Sequence, residues 1–185
     1  MNVADTDSRL VGRALAGEAK AFEELVRRHL RTANAVALGV LGNPADAEDV
    51  CQDAFLTALE KLEECRDPKR FAAWLMRIVR NRALNVLESR SLRQGEPLER
   101  VAEAAGGDDP RREAERSELR GRLLAALAVL PPAQREVVLL HDLEGWKHRE
   151  IADLLGVSEG ALRVRLLQAR RRLREELEKK GSEGD

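Results

Sequence analysis

Apolar residues recur along this chain at three- and four-residue spacing, in blocks divided by Gly and Pro, which predicts a series of amphipathic helices. Asp7 and Ser8 can cap a first helix that breaks near Gly17. Phe22, Leu25, Val26, His29, Leu30, Ala33 and Val36 make the stripe of a second, from about 19 to 41. Gly39, Gly42, Asn43 and Pro44 follow as its stop signals. A third helix, about 45 to 64, carries Cys51, Ala54, Phe55, Ala58, Leu59 and Leu62 on one face. At about 100° per residue, Asp46, Asp49, Asp53 and Glu60 fall together opposite. A fourth, from Phe71 to about Glu88, sets Phe71, Trp74, Leu75, Ile78, Val79 and Val86 against Arg70, Arg77, Arg80 and Asn81. Arg82 points toward the apolar side and is expected to pair with an acid at the rim.

The periodicity then fails. Residues 89–110 are dominated by Ser, Gly, Pro and charge, and read as a flexible tether between two helical domains. Within it Leu98–Ala105 has the pattern of a short transient helix. Beyond it, Leu119, Leu123, Ala126 and Leu130 predict another amphipathic helix, ended by Pro131-Pro132, and Pro132 can open the next, through Leu143. Trp146 is expected to cap the small core of this half.

The stretch from Lys147 to Glu176 is the most specific local pattern. Ile151, Leu154 and Leu155 give a first apolar face, with Ala152 small where a neighbour must approach. Gly156 supplies a residue suited to positive φ, and Ser158 is a good N-cap. Leu162, Leu166, Ala169 and Leu173 then line one face of a long helix, with Arg163, Arg170 and Arg174 elsewhere on it. This is a helix-turn-helix layout, whose second helix enters the DNA major groove. The fold expected is all-α: two small helical domains joined by a flexible linker, the C-terminal one a helix-turn-helix.

Composition agrees with an all-helical chain, rich in Ala, Leu, Arg and Glu and without Tyr. The net charge of −1 hides a block pattern. Residues 43–65 carry seven acids and one Lys, residues 66–93 eight bases and two acids, and residues 161–180 eight bases and three acids. Segregation of this kind suits a protein with several distinct partners. An acidic face without interleaved bases suits a basic partner, and the basic loop and helix from Arg66 suit a phosphate backbone. His29, His141 and His148 form no metal-spaced cluster with Cys51 and Cys65, so no metal or other cofactor is expected. The two cysteines, placed on one helix about 21 Å apart, are too distant for a disulfide. No apolar signal sequence opens the chain and no stretch is long enough to insert in a membrane, so a cytoplasmic location is expected. Neither a Gly-rich phosphate loop nor a nucleophile–base arrangement is present, so no enzyme activity is expected.

Three runs in this order resemble the extracytoplasmic-function (ECF) sigma factors of bacterial RNA polymerase, in the sigma-70 superfamily. They are AFEELVRRH with DAEDVCQDAFLTAL, then FAAWLMRIVRNRALNVL, then LPPAQREVVLLHDLEGWKHREIADLLGVSEGALRVRLLQARRRLREEL. The resemblance implies sigma region 2 over 1–88, a linker over 89–110 and sigma region 4 over 111–180. It implies that Asp46, Asp49, Gln52 and Asp53 dock on core RNA polymerase at the β′ clamp helices, with the second domain at the β flap. Arg66, Lys69, Arg70, Arg77, Arg80, Asn81 and Asn85 would then face the −10 element of promoter DNA, where a flipped base is held in a protein pocket. Ser158, Arg163 and Arg165, with Arg170 and Arg171 on the phosphate side, would read the −35 element. The linker resembles the segment that threads the polymerase RNA exit channel, and an anti-sigma factor is an implied partner. The family usually has threonine at the place of Ala161, a small polar residue at that of Val164, and a Ser or Thr cap at that of Lys147. The alternative is a stand-alone helix-turn-helix regulator of the LuxR type, which needs neither the acidic helix nor the run from Phe71.

Overall fold

The computed structural model describes residues 6–92 and 110–182, and among them every regular element is helical. Helix α1 (Asp7–Leu15) is capped by Thr6, whose hydroxyl accepts from the Arg9 N–H. The expected caps, Asp7 and Ser8, lie instead in the first turn, and Asp7 turns its carboxylate to His29 (2.8 Å) and Arg28 (3.3 Å). Helix α2 (Ala19–Leu41) ends as expected at Gly42, whose φ of 73° few other residues tolerate. Gly39, read from sequence as a stop, stays within the helix.

Helix α3 (Pro44–Glu60) starts where Asn43 Oδ1 accepts from the N–H groups of Ala45 (2.9 Å) and Asp46 (3.2 Å). A cap of this kind is worth about 1 kcal/mol. The helix ends four residues before the expected Glu64, and a 3-10 turn, Leu62–Glu64, follows. Cys51 and Cys65 therefore do not share a helix, and both are free and buried. Burial pushes the Cys51 thiol up to about 12, so it stays protonated at neutral pH.

Helix α4 (Phe71–Leu92) continues into the expected tether, and α5 (Pro110–Ala128) begins inside it. The reading of Leu98–Ala105 as a transient helix falls outside the described residues. In α5, Ala126 and Leu127 are buried, with Leu130 just beyond it, while Leu119 and Leu123 stay exposed. The apolar stripe is regular, but only its C-terminal part reaches a core. Helix α6 (Pro132–Val138) gives way to a π turn, Leu139–Leu143, where a single α-helix is predicted. Helices α7 (His148–Leu155) and α8 (Glu159–Ser182) complete the chain.

Helix α2 lies against α1, α3 and α4 and also against α6, so it belongs to both halves of the molecule. Val11, Leu25, Val36, Val40, Phe71, Leu75, Met76 and Val79 are sealed within the first half, and Leu139, Leu140, Ile151 and Leu162 within the second. These side chains form one continuous apolar cluster. Fully burying each such side chain contributes about 1.5–3 kcal/mol, so the cluster is the main restraint on the helices.

Candidate nucleic-acid interface

The helix-turn-helix forms as the sequence predicts. Gly156 takes φ 67° at the end of α7, and the Val157 N–H reaches back to the Ala152 carbonyl at 3.1 Å. Ser158 Oγ accepts from the Ala161 N–H at 3.2 Å, so this serine is occupied in starting α8. Lys147 offers no capping acceptor, but Glu150 Oε2 accepts its N–H at 2.9 Å, which completes half of a capping box. Ile151, Ala152 and Leu154 of α7 close on Leu162, Leu166 and Ala169 of α8. His141 donates from Nδ1 to the Trp146 carbonyl at 2.8 Å, fixing the loop into α7, and stacks on His148.

Along α8 the arginines take different directions. Arg163 is exposed and only loosely joined to Glu159, at 3.4 Å one turn back. Ala161 and Val164 are exposed beside it. Arg165 lies about 200° further round the helix and is half-buried, with its charge bearing on Glu136 of α6. Arg170 is held by both oxygens of Asp142, and Arg171 is exposed beside Glu175. Arg163 and Arg165 thus cannot face one groove together, because 200° separates them.

On α3, Asp49 and Gln52 are exposed, and Asp53 is 64% exposed although it meets Arg82 at 3.3 Å. Arg82 also donates to Thr57, so the predicted rim pair forms. Asp46 is different: both its oxygens are taken by Arg90 and its side chain is 13% exposed. It ties α3 to α4 rather than standing with the other acids. Beside the acidic face, exposed Leu30, Leu56 and Leu59 rim a groove of roughly 530 Å³ floored by Phe22, Cys51 and Phe55.

The basic residues at the start of α4 gather as expected, but they meet the second half of the chain. The Asp67 carboxylate caps a 3-10 turn, Pro68–Arg70, that leads straight into Phe71. Lys69, Arg70 and Arg77 form one wall of a crevice of roughly 430 Å³. Trp146, Glu150, Asp153 and Leu154 form the other. Arg80 reaches Glu136 at 3.3 Å. Arg66, Asn81 and Asn85 are exposed. Trp74 packs on Phe71, as a core anchor would, and His29 packs on the same ring from α2.

Sequence reasoning missed the groups that close this contact. Arg135 and Glu136, adjacent in α6, are 8% and 5% exposed. Arg135 Nε donates to the Gly39 carbonyl at 2.9 Å, and its guanidinium lies over Gly42. Burial lowers the affinity of Arg135 for its proton and raises that of Glu136. Glu144, also nearly buried, accepts from Arg31 (2.7 Å) and Thr32 (2.9 Å) of α2. The signal was a charged pair inside a short apolar helix, which resembles an ordinary solvated position when read alone.

Comparison with known proteins joins these surfaces to a family. Residues 25–93 match sigma-70 region 2, and residues 120–173 match sigma-70 region 4. The chain belongs to the sigma-70 family. The RNA polymerase sigma factor CnrH of Cupriavidus metallidurans is 36% identical over 94% of this chain and 95% of its own length. The ECF RNA polymerase sigma factor SigE of Mycolicibacterium smegmatis is 35% identical over 88% of this chain. A structure of CnrH in complex with the cytosolic domain of CnrY superposes with a TM-score of 0.68, covering 94% of this chain and 98% of that one, at 33% identity. This sigma-family chain spans 63% of SigE and 42% of another relative, named "Probable RNA polymerase sigma factor RfaY", of Xanthomonas campestris. Two sigma regions in this order distinguish it from a LuxR-type regulator, and no helix among the described residues is long and apolar enough to cross a membrane.

Proposed function

We propose that this chain is a promoter-specificity subunit acting in the cytoplasm. It binds core RNA polymerase, reads the −35 and −10 elements of promoter DNA and helps open the duplex, with no catalytic chemistry of its own. The observation that carries this reading is one chain presenting an exposed acidic helix, a basic loop-and-helix and a helix-turn-helix, matched to sigma regions 2 and 4. In this scheme residues 1–88 work as region 2, 111–180 as region 4, and 89–110 as their linker.

Asp49, Gln52 and Asp53 dock on the β′ clamp helices, and the second domain on the β flap. Asp46 serves this face indirectly, by holding α3 on α4. Lys69, Arg70, Arg77 and Arg80, with Arg66, Asn81 and Asn85, hold the melted −10 strand. Arg163 reads bases at −35, Arg170 and Arg171 follow the phosphates, and Ser158 positions the helix. Arg165 can contribute only from the flank, because of its place on α8. By analogy with CnrH, which was solved with the cytosolic domain of CnrY, an anti-sigma factor is the natural restraint.

The deciding experiment is transcription with purified core polymerase on a randomised promoter library. Transcripts sharing two spaced elements are expected; transcription no better than that of core polymerase alone would end the reading. On a promoter so obtained, Arg163→Ala should weaken −35-dependent binding by about 1–3 kcal/mol and relax the base preference at one position. An unchanged promoter profile would place base readout elsewhere on α8.

A further inference from the structure

The outward side of α8 carries an apolar strip. At about 100° per residue, Gly160, Val164, Leu167 and Arg171 share an arc of roughly 60°. That arc lies roughly 160° round the helix from the buried Leu162, Leu166 and Ala169, so it points away from the core. Val164 is 54% exposed and Leu167 71%, the highest value for a large apolar side chain among the described residues. Beyond its chain neighbours and its own helix backbone, a Cβ at Gly160 would meet only Ser158 Oγ within 4 Å, at 3.9 Å. Packing therefore does not demand a glycine there. Gln168, whose amide could read a base, is turned to α6, where its Oε1 accepts from Gln134 Nε2 at 3.2 Å. Arg163 borders the strip on one side. A lone exposed leucine is ordinary, but three adjoining positions without a polar group form a surface with its own chemistry.

We propose that Val164 and Leu167 are specificity-determining residues that read thymine methyl groups at two neighbouring base pairs of the −35 element. The inference rests on the sigma-factor reading and names how part of its DNA is recognised. In the major groove thymine is marked by its C5 methyl group, which is read by apolar contact rather than by a hydrogen bond. The other bases present donors or acceptors, which an aliphatic side chain would strip of water without replacing. Val164 and Leu167, three residues apart, are separated by about 4.5 Å along the helix axis, close to one base step of about 3.4 Å. The missing side chain at Gly160 lets the first turn of α8 approach the groove closely. Exposed Arg171, one turn beyond Leu167, is placed for the phosphate backbone, and Arg163 supplies the hydrogen-bonded part of the readout.

The test uses the full chain with core polymerase on a promoter recovered from the randomised library. Each thymine of its −35 element, on either strand, is replaced in turn by deoxyuridine, which pairs alike and lacks only the methyl group. Replacement at two adjacent base pairs should each weaken promoter binding about threefold to fivefold, the worth of one methyl group returned to water. Val164→Ala and Leu167→Ala should each abolish one of these two penalties and keep the other. Arg171→Ala should instead weaken binding uniformly and keep both. A −35 element without thymine overturns the inference, as do uracil promoters bound like thymine ones. Penalties that persist in both alanine variants also overturn it, because the methyl groups would then act through DNA shape. Transcription from the unsubstituted promoter scores the sigma-factor reading separately. Normal initiation without a uracil penalty removes the methyl readout alone, whereas absent initiation removes the reading beneath it and the readout with it.

Discussion

Replacing Asp49 and Asp53 together with arginine should strip the chain of core RNA polymerase, weakening the complex at least a hundredfold, or about 3 kcal/mol. Two attractive contacts become two like-charge contacts against a basic partner, and each such juxtaposition costs several kcal/mol. Folding should survive. Asp49 is exposed, and the Asp53–Arg82 pair stands at the surface, with Asp53 mostly and Arg82 partly exposed, so its loss costs about 1 kcal/mol. The apolar stripe through Val50, Ala54 and Ala58 is untouched. Asp46→Ala makes the informative contrast. It frees Arg90 and loosens α3 on α4, so it should lower the melting temperature more than it lowers affinity. Co-purification with polymerase, with circular dichroism as the folding control, separates the two cases. Retained co-purification of the double variant would move the docking face away from α3.

The difference between Asp46 and its neighbours shows what a helical pattern can and cannot reveal. Periodicity placed Asp46, Asp49 and Asp53 on one side of α3, and Asp49 and Asp53 are exposed there. It could not see that Arg90, forty-four residues on, reaches Asp46. Arg82 was legible because an arginine leaning toward an apolar face must find an acid at its edge, and Asp53 is that acid. The turn between α7 and α8 was legible for a stronger reason: Gly156 and Ser158 each satisfy a local backbone requirement, independent of the rest of the fold.

Contacts between the halves had no such local signature. Gly39 in α2 looked like a helix stop because glycine usually weakens a helix. Its actual role, room for the Glu136 backbone, exists only once α6 is docked. Arg135 and Glu136 likewise look solvated until α2 presents unsatisfied carbonyls to the first and α4 presents Arg80 to the second. Leu119 and Leu123 fail in the opposite sense. Their spacing is that of a core stripe, but both remain exposed because α5 extends past the elements that would cover it. Sequence pattern reports which faces are apolar; tertiary placement decides which of them are covered.

Phe71 is where the core and the proposed −10 surface share one side chain. Its ring is fully buried, with His29 at 5.5 Å and Trp74 at 5.8 Å between centroids, and its backbone closes the turn that carries Lys69 and Arg70. Phe71→Ala should cost about 3–5 kcal/mol, because it removes transfer energy and leaves a cavity that three helices cannot close together. At about 2–4 °C per kcal/mol for a cooperative unit of this size, the melting temperature should fall by at least about 6 °C. Phe71→Leu, which keeps most of the volume, should cost far less. The two effects can be told apart below the lowered transition. There α3 should still bring down polymerase, because its own apolar stripe is intact, while binding of single-stranded DNA should weaken as the Pro68–Arg70 turn loses its seat. A variant that melts within about 1 kcal/mol of the unmodified chain would mean that the ring is not the anchor its burial implies.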